Sequence, residues 1–176
     1  MKIKSIFSSA FLYVVYYYAV SALSVVFALV PIYIVRALIY DEYIRTLTTV
    51  ISLIMVTLIG LFMLFYKDGQ KKNISYDNDK IFIKFIISVI CSYIICYLIG
   101  ILTKFFIIIY MPSNYLSILI TAEADISIVQ NKYFGTLNIT FLILLIPMFI
   151  SSLLGFKKGV VKREKNRTKT ITKDKE

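Results

Sequence analysis

The sequence predicts an all-α integral membrane protein with four transmembrane helices and with both termini on the cytoplasmic side. Of the 176 residues, 59% are hydrophobic and only 17% are charged, and the mean hydropathy is +0.81. A soluble domain carries about a quarter charged residues, and a chain this short cannot bury so much apolar surface in its own core. The composition therefore excludes an ordinary soluble protein, and also a disordered chain, a collagen or a disulfide scaffold.

Four segments are long enough to cross the hydrocarbon layer, which takes about 20 apolar residues in a helix. They are predicted over about 8–35, 46–65, 81–103 with an extension to 111, and 136–155, and they form one transmembrane domain over 1–156. Lys2 and Lys4 precede the first segment as in a signal peptide. The apolar run that follows is longer than the usual h-region of about 7–15 residues, so we expect an uncleaved helix.

The basic residues predict the orientation. Sixteen of the 20 Lys and Arg residues fall on the side that would hold both termini, and the other four are balanced by four acids on the opposite side. Because cytoplasmic loops near helix ends carry the excess of Lys and Arg, the first side is predicted to be cytoplasmic. The abundance of Ile, Lys, Tyr and Asn is typical of AT-rich coding sequences, and by that association we expect the plasma membrane of a bacterium.

The outer connection between the third and fourth helices, 112–135, is neither a solvated loop nor a crossing. Tyr115 to Gln130 hold many Ile and Leu residues between polar ones. We predict an amphipathic helix that lies in the outer interface or packs on top of the bundle, although Ala124, Ile126 and Ile128 alternate as in a strand.

Lys104 is the one charge that interrupts a long apolar stretch. It lies about 30 Å along the helix from Lys84, which places its ammonium group at the outer interface. There it either snorkels to the headgroups or forms an ion pair with Glu123 or Asp125 that closes the outer face.

A row of small residues runs along the third helix at fourfold spacing: Ser88, Ser92, Cys96 and Gly100. In lipid, small residues mark helix contacts because they let two backbones approach closely. The row predicts packing within the bundle, or alternatively a contact with a partner or a second copy.

Tyrosines crowd the start of the first helix, at Tyr13, Tyr16, Tyr17 and Tyr18. This pattern is typical of an aromatic belt in the headgroup layer. Tyr17 and Tyr18 lie deeper, where at least one hydroxyl is expected to find an interhelical partner or a polar cavity.

Groups for catalysis are scarce. The chain has no His, its two cysteines are not in a CxxC pair, and we place its acids only in connections and the tail, with Asp68 in a turn. These features exclude haem and zinc sites built on His and disfavour proton-coupled transport. We predict no cofactor, no metal and no catalytic residue; an enzyme would need Asp77 or Asp79 to bind a metal, and that pair is more typical of a turn.

The last segment, 157–176, holds nine basic residues and is expected to be a disordered cytoplasmic tail. Basic residues next to a membrane helix attract anionic headgroups by about 1 kcal/mol each. We predict this role for Lys157, Lys158, Lys162 and Arg163, and no binding of nucleic acid, since no folded module accompanies the charge.

These features together favour a non-enzymatic accessory or scaffold subunit of a membrane complex, which acts through helix packing and through a basic tail at anionic lipid. Its partners would be the bilayer and a second membrane protein or further copies of itself. The alternative is a transporter or an oligomeric pore for a neutral, lipid-like or cationic solute, with the hydroxyls of the third helix and of Tyr17 facing the path.

Overall fold

The computed structural model describes residues 3–38, 40–71, 78–103 and 134–173, and the regular structure in these ranges is entirely helical. The helices are α1 (Ile3–Leu38), α2 (Glu42–Gly69), α3 (Asn78–Thr103) and α4 (Phe134–Lys173). Each is long and apolar enough to cross a membrane, over Ser5–Pro31, Glu42–Gly69, Ile81–Ile99 and Leu142–Asn166. This confirms the prediction of an all-helical, multi-pass membrane protein.

Several sequence predictions fall outside the described residues. These are the extension of the third helix to 111, the amphipathic segment over Tyr115 to Gln130, and the ion pair of Lys104 with Glu123 or Asp125.

The start of α2 shows how the sequence sets a helix boundary. The Asp41 side chain accepts a hydrogen bond from the backbone N–H of Ile44 at 3.1 Å, and Glu42 lies in the first turn. An aspartate cap satisfies a backbone donor that has no partner inside the helix, and an acid in the first turn is favoured by the helix dipole. Beyond this turn the apolar chain remains helical because lipid offers its backbone no other hydrogen-bond partner.

Helices α1 and α2 run antiparallel. The Tyr13 hydroxyl reaches Asp68 near the end of α2, while further along α1 the Val20 side chain lies against Gly60. The start of α1 and the end of α2 therefore lie at the same end of the bundle.

Helices α3 and α4 also run antiparallel, and they meet through aromatic rings. Phe85 stacks on Phe156 with ring centroids 3.9 Å apart, and Tyr93 lies beside Phe149 at 6.3 Å. Phe65 of α2 contacts the Phe85 ring edge-on at 5.4 Å. These rings form an aromatic core that spaces α3 from α4.

Helix α4 does not end with its apolar stretch. The segment from 157 onward, which was expected to be disordered, continues the helix as far as Lys173. Phe156 is 2% exposed, Gly159 is buried and Val160 is half-buried, so the first turns beyond the apolar stretch pack on the bundle. The composition of this segment predicts disorder because it is dominated by charged residues. It does not indicate that Phe156, Gly159 and Val160 pack on the bundle.

Candidate functional site

Most of the described cations lie at one end of the bundle, which we call the basic end. It holds the start of α1, the end of α2 and the second half of α4. Its exposed or half-exposed basic residues are Lys67, Lys71, Lys84, Lys157, Lys158, Lys162, Arg163 and Lys165.

Three of the four small residues predicted to mark packing on α3 lie in the interior. Ser88 and Ser92 are 0% exposed and Cys96 is 1% exposed. The Ser88 hydroxyl donates to the Ile6 carbonyl of α1 at 3.5 Å, whereas Ser92 donates to Val89 of its own helix at 2.7 Å. Gly100 belongs to α3, and its surroundings lie outside what the structure describes.

A different set of small residues, on α4, lets this helix approach α2 closely. A Cβ atom on Gly155 or on Gly159 would lie against a backbone carbonyl oxygen of α2, that of Phe62 or of Tyr66 respectively. Ser151, one turn earlier, donates its hydroxyl to the Leu58 carbonyl at 2.6 Å. Each pair is separated by 93 residues in the sequence, so α2 and α4 run parallel and in register.

Sequence reasoning missed this contact although its signal is present. Ser151, Gly155 and Gly159 follow one another at fourfold spacing, as small residues do where two membrane helices touch. The sequence predicts that the fourth helix ends at 155. Gly159 then falls in the tail, and the spacing is not recognised as part of one helix.

Basic residues in the second half of α4 lie along this contact with α2. Lys158 places its Nζ atom 5.5 Å from the centroid of the Phe62 ring, and Lys162 lies 5.8 Å from that of Tyr66. Such distances are typical of cation–π contacts. Arg163 donates to the Lys71 carbonyl at 3.4 Å, and Lys157 is exposed.

A polar cluster joins α1 to α2 at the basic end. Asp68 is 9% exposed, and its carboxylate accepts from the Tyr13 hydroxyl at 2.9 Å and from the Lys71 ammonium at 2.6 Å. The same ammonium group lies 3.5 Å from the Tyr16 hydroxyl. Hydrogen bonding to Asp68 raises the pKa of Lys71 above its usual value of 10.5.

This cluster corrects two expectations. Asp68 is not in a loop: it lies in the last turn of α2 and is buried. Tyr13 is not in an aromatic belt, since it is 5% exposed and belongs to the core, together with Tyr17, which was expected to lie deeper. The Tyr13 ring packs in the core while its hydroxyl binds a buried carboxylate, and no local sequence pattern indicates this.

Two tyrosines deeper in the bundle have buried hydroxyls. The rings of Tyr17 and Tyr93 meet edge-on with centroids 4.6 Å apart. The Tyr17 hydroxyl has no hydrogen-bond partner among the described residues, whereas that of Tyr93 lies near the Ser152 side chain. A buried hydroxyl without a partner is unfavourable, so it calls for a functional or solvent-based explanation.

An apolar groove lies on the side of the bundle, between α2 and α4. It has a volume of about 250 Å³ and is lined by Met55, Leu58, Ile59 and Phe62 of α2 and by Ser151 of α4. It lies directly over the register contact and ends at the Phe62 ring, next to Lys158.

Groups for redox or metal chemistry are not assembled in the described part of the chain. Cys91 and Cys96 are free thiols, and within the described ranges no three Cys, Asp or Glu residues lie close enough to hold a metal ion. What the basic end offers is a fixed arrangement of cations, aromatic rings and one buried carboxylate. Comparison of the chain with protein-family models, with curated proteins and with solved structures gives no significant match.

Proposed function

We propose that this multi-pass membrane protein is a non-enzymatic accessory or scaffold subunit of a membrane complex, and that its basic end lies at anionic lipid. The observation that carries the proposal is the continuation of α4 beyond its apolar stretch. This helix is held against α2 by Gly155 and Gly159 and presents Lys157, Lys158 and Lys162 to the surroundings. A basic surface held in this way supports docking at headgroups and beside a partner.

The use of the buried hydroxyls also supports a role in contact. Thr57 and Ser152 donate to carbonyl groups of their own helices at 2.7 and 2.8 Å, as Ser92 does. A hydroxyl that donates to its own helix already has an acceptor and needs none from a solute. Its small side chain also lets helices pack closely.

We propose further that the basic end faces the cytoplasm of a bacterial cell, at its plasma membrane. The support is the number of exposed cations at that end, since cytoplasmic flanks of membrane helices carry the excess of Lys and Arg.

The test of the accessory role is the composition of the complex in its native membrane. The tagged chain is extracted with a mild detergent and purified by its tag. The mass of the intact complex is then measured. A second polypeptide in stoichiometric amount is expected. A monomer or a homo-oligomer with no second polypeptide would contradict the proposal.

A transporter or oligomeric pore for a neutral, lipid-like or cationic solute is the second candidate, and the buried hydroxyls of Tyr17 and Tyr93 favour it. In liposomes, Tyr17→Phe combined with Tyr93→Phe would then abolish solute flux, while Tyr43→Phe, at an exposed position, would leave it unchanged. Absence of flux from the native chain would exclude this candidate.

A further inference from the structure

The groove between α2 and α4 suits a hydrocarbon chain. Met55 and Ile59 on its wall are 53% and 58% exposed. Among the described residues of its lining, the one polar side chain is Ser151, which already donates its hydroxyl to the Leu58 carbonyl. An occupant therefore gains by covering apolar surface and finds no free donor in the groove.

The groove leads to positive charge at one end. Phe62 lines the groove and also lies under the Lys158 ammonium group, and Lys162 follows four residues later over Tyr66. Four residues of helix span about 6 Å, and the rings beside the two ammonium groups stack with centroids 6.2 Å apart. This spacing suits one phosphate group that accepts from both lysines.

Two described carboxylates lie at this end, and both are already engaged: Glu164 on the exposed surface of α4, and Asp68. Asp68 is buried and is held by Tyr13 and Lys71 on the α1 side of α2. Lys158 and Lys162 instead lie on the α4 side, beside the groove. Their charge is directed to the surface of the bundle, where a lipid headgroup would lie.

We propose that the groove and these two lysines form a binding site for one anionic phospholipid, whose acyl chain lies along Met55 to Phe62 and whose phosphate contacts Lys158 and Lys162. The inference rests on the proposed role of the basic end at anionic lipid and adds to it a defined site. The lipid would brace the same two helices that Gly155 and Gly159 bring together.

The headgroup part is tested by lipid retention. The full chain is reconstituted in phosphatidylcholine vesicles that contain phosphatidylglycerol, re-extracted mildly, and its bound lipid is counted by mass. Lys158→Gln with Lys162→Gln should lower the retained phosphatidylglycerol about tenfold. The matched control, Lys67→Gln with Lys165→Gln, removes two exposed charges from the same end outside the site and should lower retention less than the first pair does.

The acyl part is tested by filling the groove. Ile59→Trp places an indole in the groove and should also lower retention, whereas Met63→Trp, at an equally exposed position outside the groove lining, should not. Thermal midpoints of all variants show whether each one is folded.

Equal losses from the two lysine pairs would mean diffuse attraction of anionic lipid and would overturn the site. Retention that is unchanged in Lys158→Gln with Lys162→Gln, or equally lowered by the two tryptophans, would also overturn it. None of these results bears on whether a second polypeptide is extracted with the chain, so failure of the site and failure of the accessory role remain distinguishable.

Discussion

At the scale of single residues, Asp68 is the point where α1 and α2 are joined. Its carboxylate accepts from Tyr13 on one helix and from Lys71 just past the end of the other. A buried carboxylate is strongly unfavourable unless it is paired and hydrogen-bonded, and here both conditions are met. We therefore assign this cluster a structural role.

Removal of the carboxylate should destabilise the bundle. Asp68→Ala leaves the buried Tyr13 hydroxyl without its acceptor, and we expect a loss of about 1–3 kcal/mol in the free energy of unfolding in detergent. Tyr13→Phe should cost less, and the double variant should cost less than the sum of the two. Tyr43→Phe, at an exposed site, is the control; purely additive losses would show that the two groups do not interact.

The same cluster predicts a pH dependence. Hydrogen bonding to Asp68 raises the folded-state pKa of Lys71 above 10.5, so its contribution to stability is complete below that value and is lost as pH rises through the raised pKa. Between about pH 9 and pH 12 the native chain should lose more thermal stability than Lys71→Gln. Lys67→Gln should follow the native chain, and parallel curves for the native chain and Lys71→Gln would refute the assignment.

Such residue pairs could not be predicted from the sequence. Tyr13 and Asp68 are 55 residues apart, and each belongs to a local pattern that indicates something else: a tyrosine-rich helix start and an Asp-Gly turn. Only the antiparallel packing of α1 on α2 brings the two together.

At the scale of elements, α4 is the helix with two roles. Its first part is an apolar span, and its second part is basic and packs on the end of α2 through Gly155, Phe156 and Gly159. Because these two glycines face backbone atoms of α2, their contact depends on the absence of a side chain.

Gly159→Ala tests that dependence. The added methyl group would lie against the Tyr66 carbonyl oxygen and 3.1 Å from the Gly69 Cα atom. Alanine favours a helix by about 1 kcal/mol over glycine, yet overpacking should outweigh this and give a net loss of about 1–3 kcal/mol. Gly60→Ala, which meets the Val20 side chain and not backbone, should cost less; a gain in stability for Gly159→Ala would contradict the contact.

The four spans themselves were predictable, because each is an apolar run bounded by charges and a helix is what lipid imposes on such a run. The end of α4 was not. Its charges resemble those of a disordered tail. The row of Gly155, Gly159 and Val160 can be recognised as a helix contact only when the neighbouring backbone of Phe62 and Tyr66 is known.

At the scale of the whole molecule, the helix directions place the start of α1 and the second half of α4 at one end of the bundle. Tyr13 meets Asp68 there, and Arg163 meets Lys71. The exposed cations gather at the same end, so helix direction and charge favour one orientation in the membrane.

Labelling of single cysteines in intact cells tests this orientation. Lys67→Cys and Lys157→Cys lie at the basic end, and Tyr43→Cys lies at the start of α2, at the opposite end; all three positions are exposed. A membrane-impermeant thiol reagent should reach only Tyr43→Cys until the cells are permeabilised. Labelling of Lys67→Cys or Lys157→Cys from outside would reverse the proposed orientation.

The measurement that tests the central claim most directly is cross-linking between the ends of α2 and α4 in native membranes, because the function proposed here depends on a basic helix fixed against α2. With both native cysteines replaced by alanine, Lys71→Cys is paired either with Arg163→Cys, on the face that contacts α2, or with Val161→Cys, which is 56% exposed. A short bifunctional thiol reagent should link the first pair and leave the second largely unlinked. Equal cross-linking of both pairs would mean a mobile tail and would contradict the account.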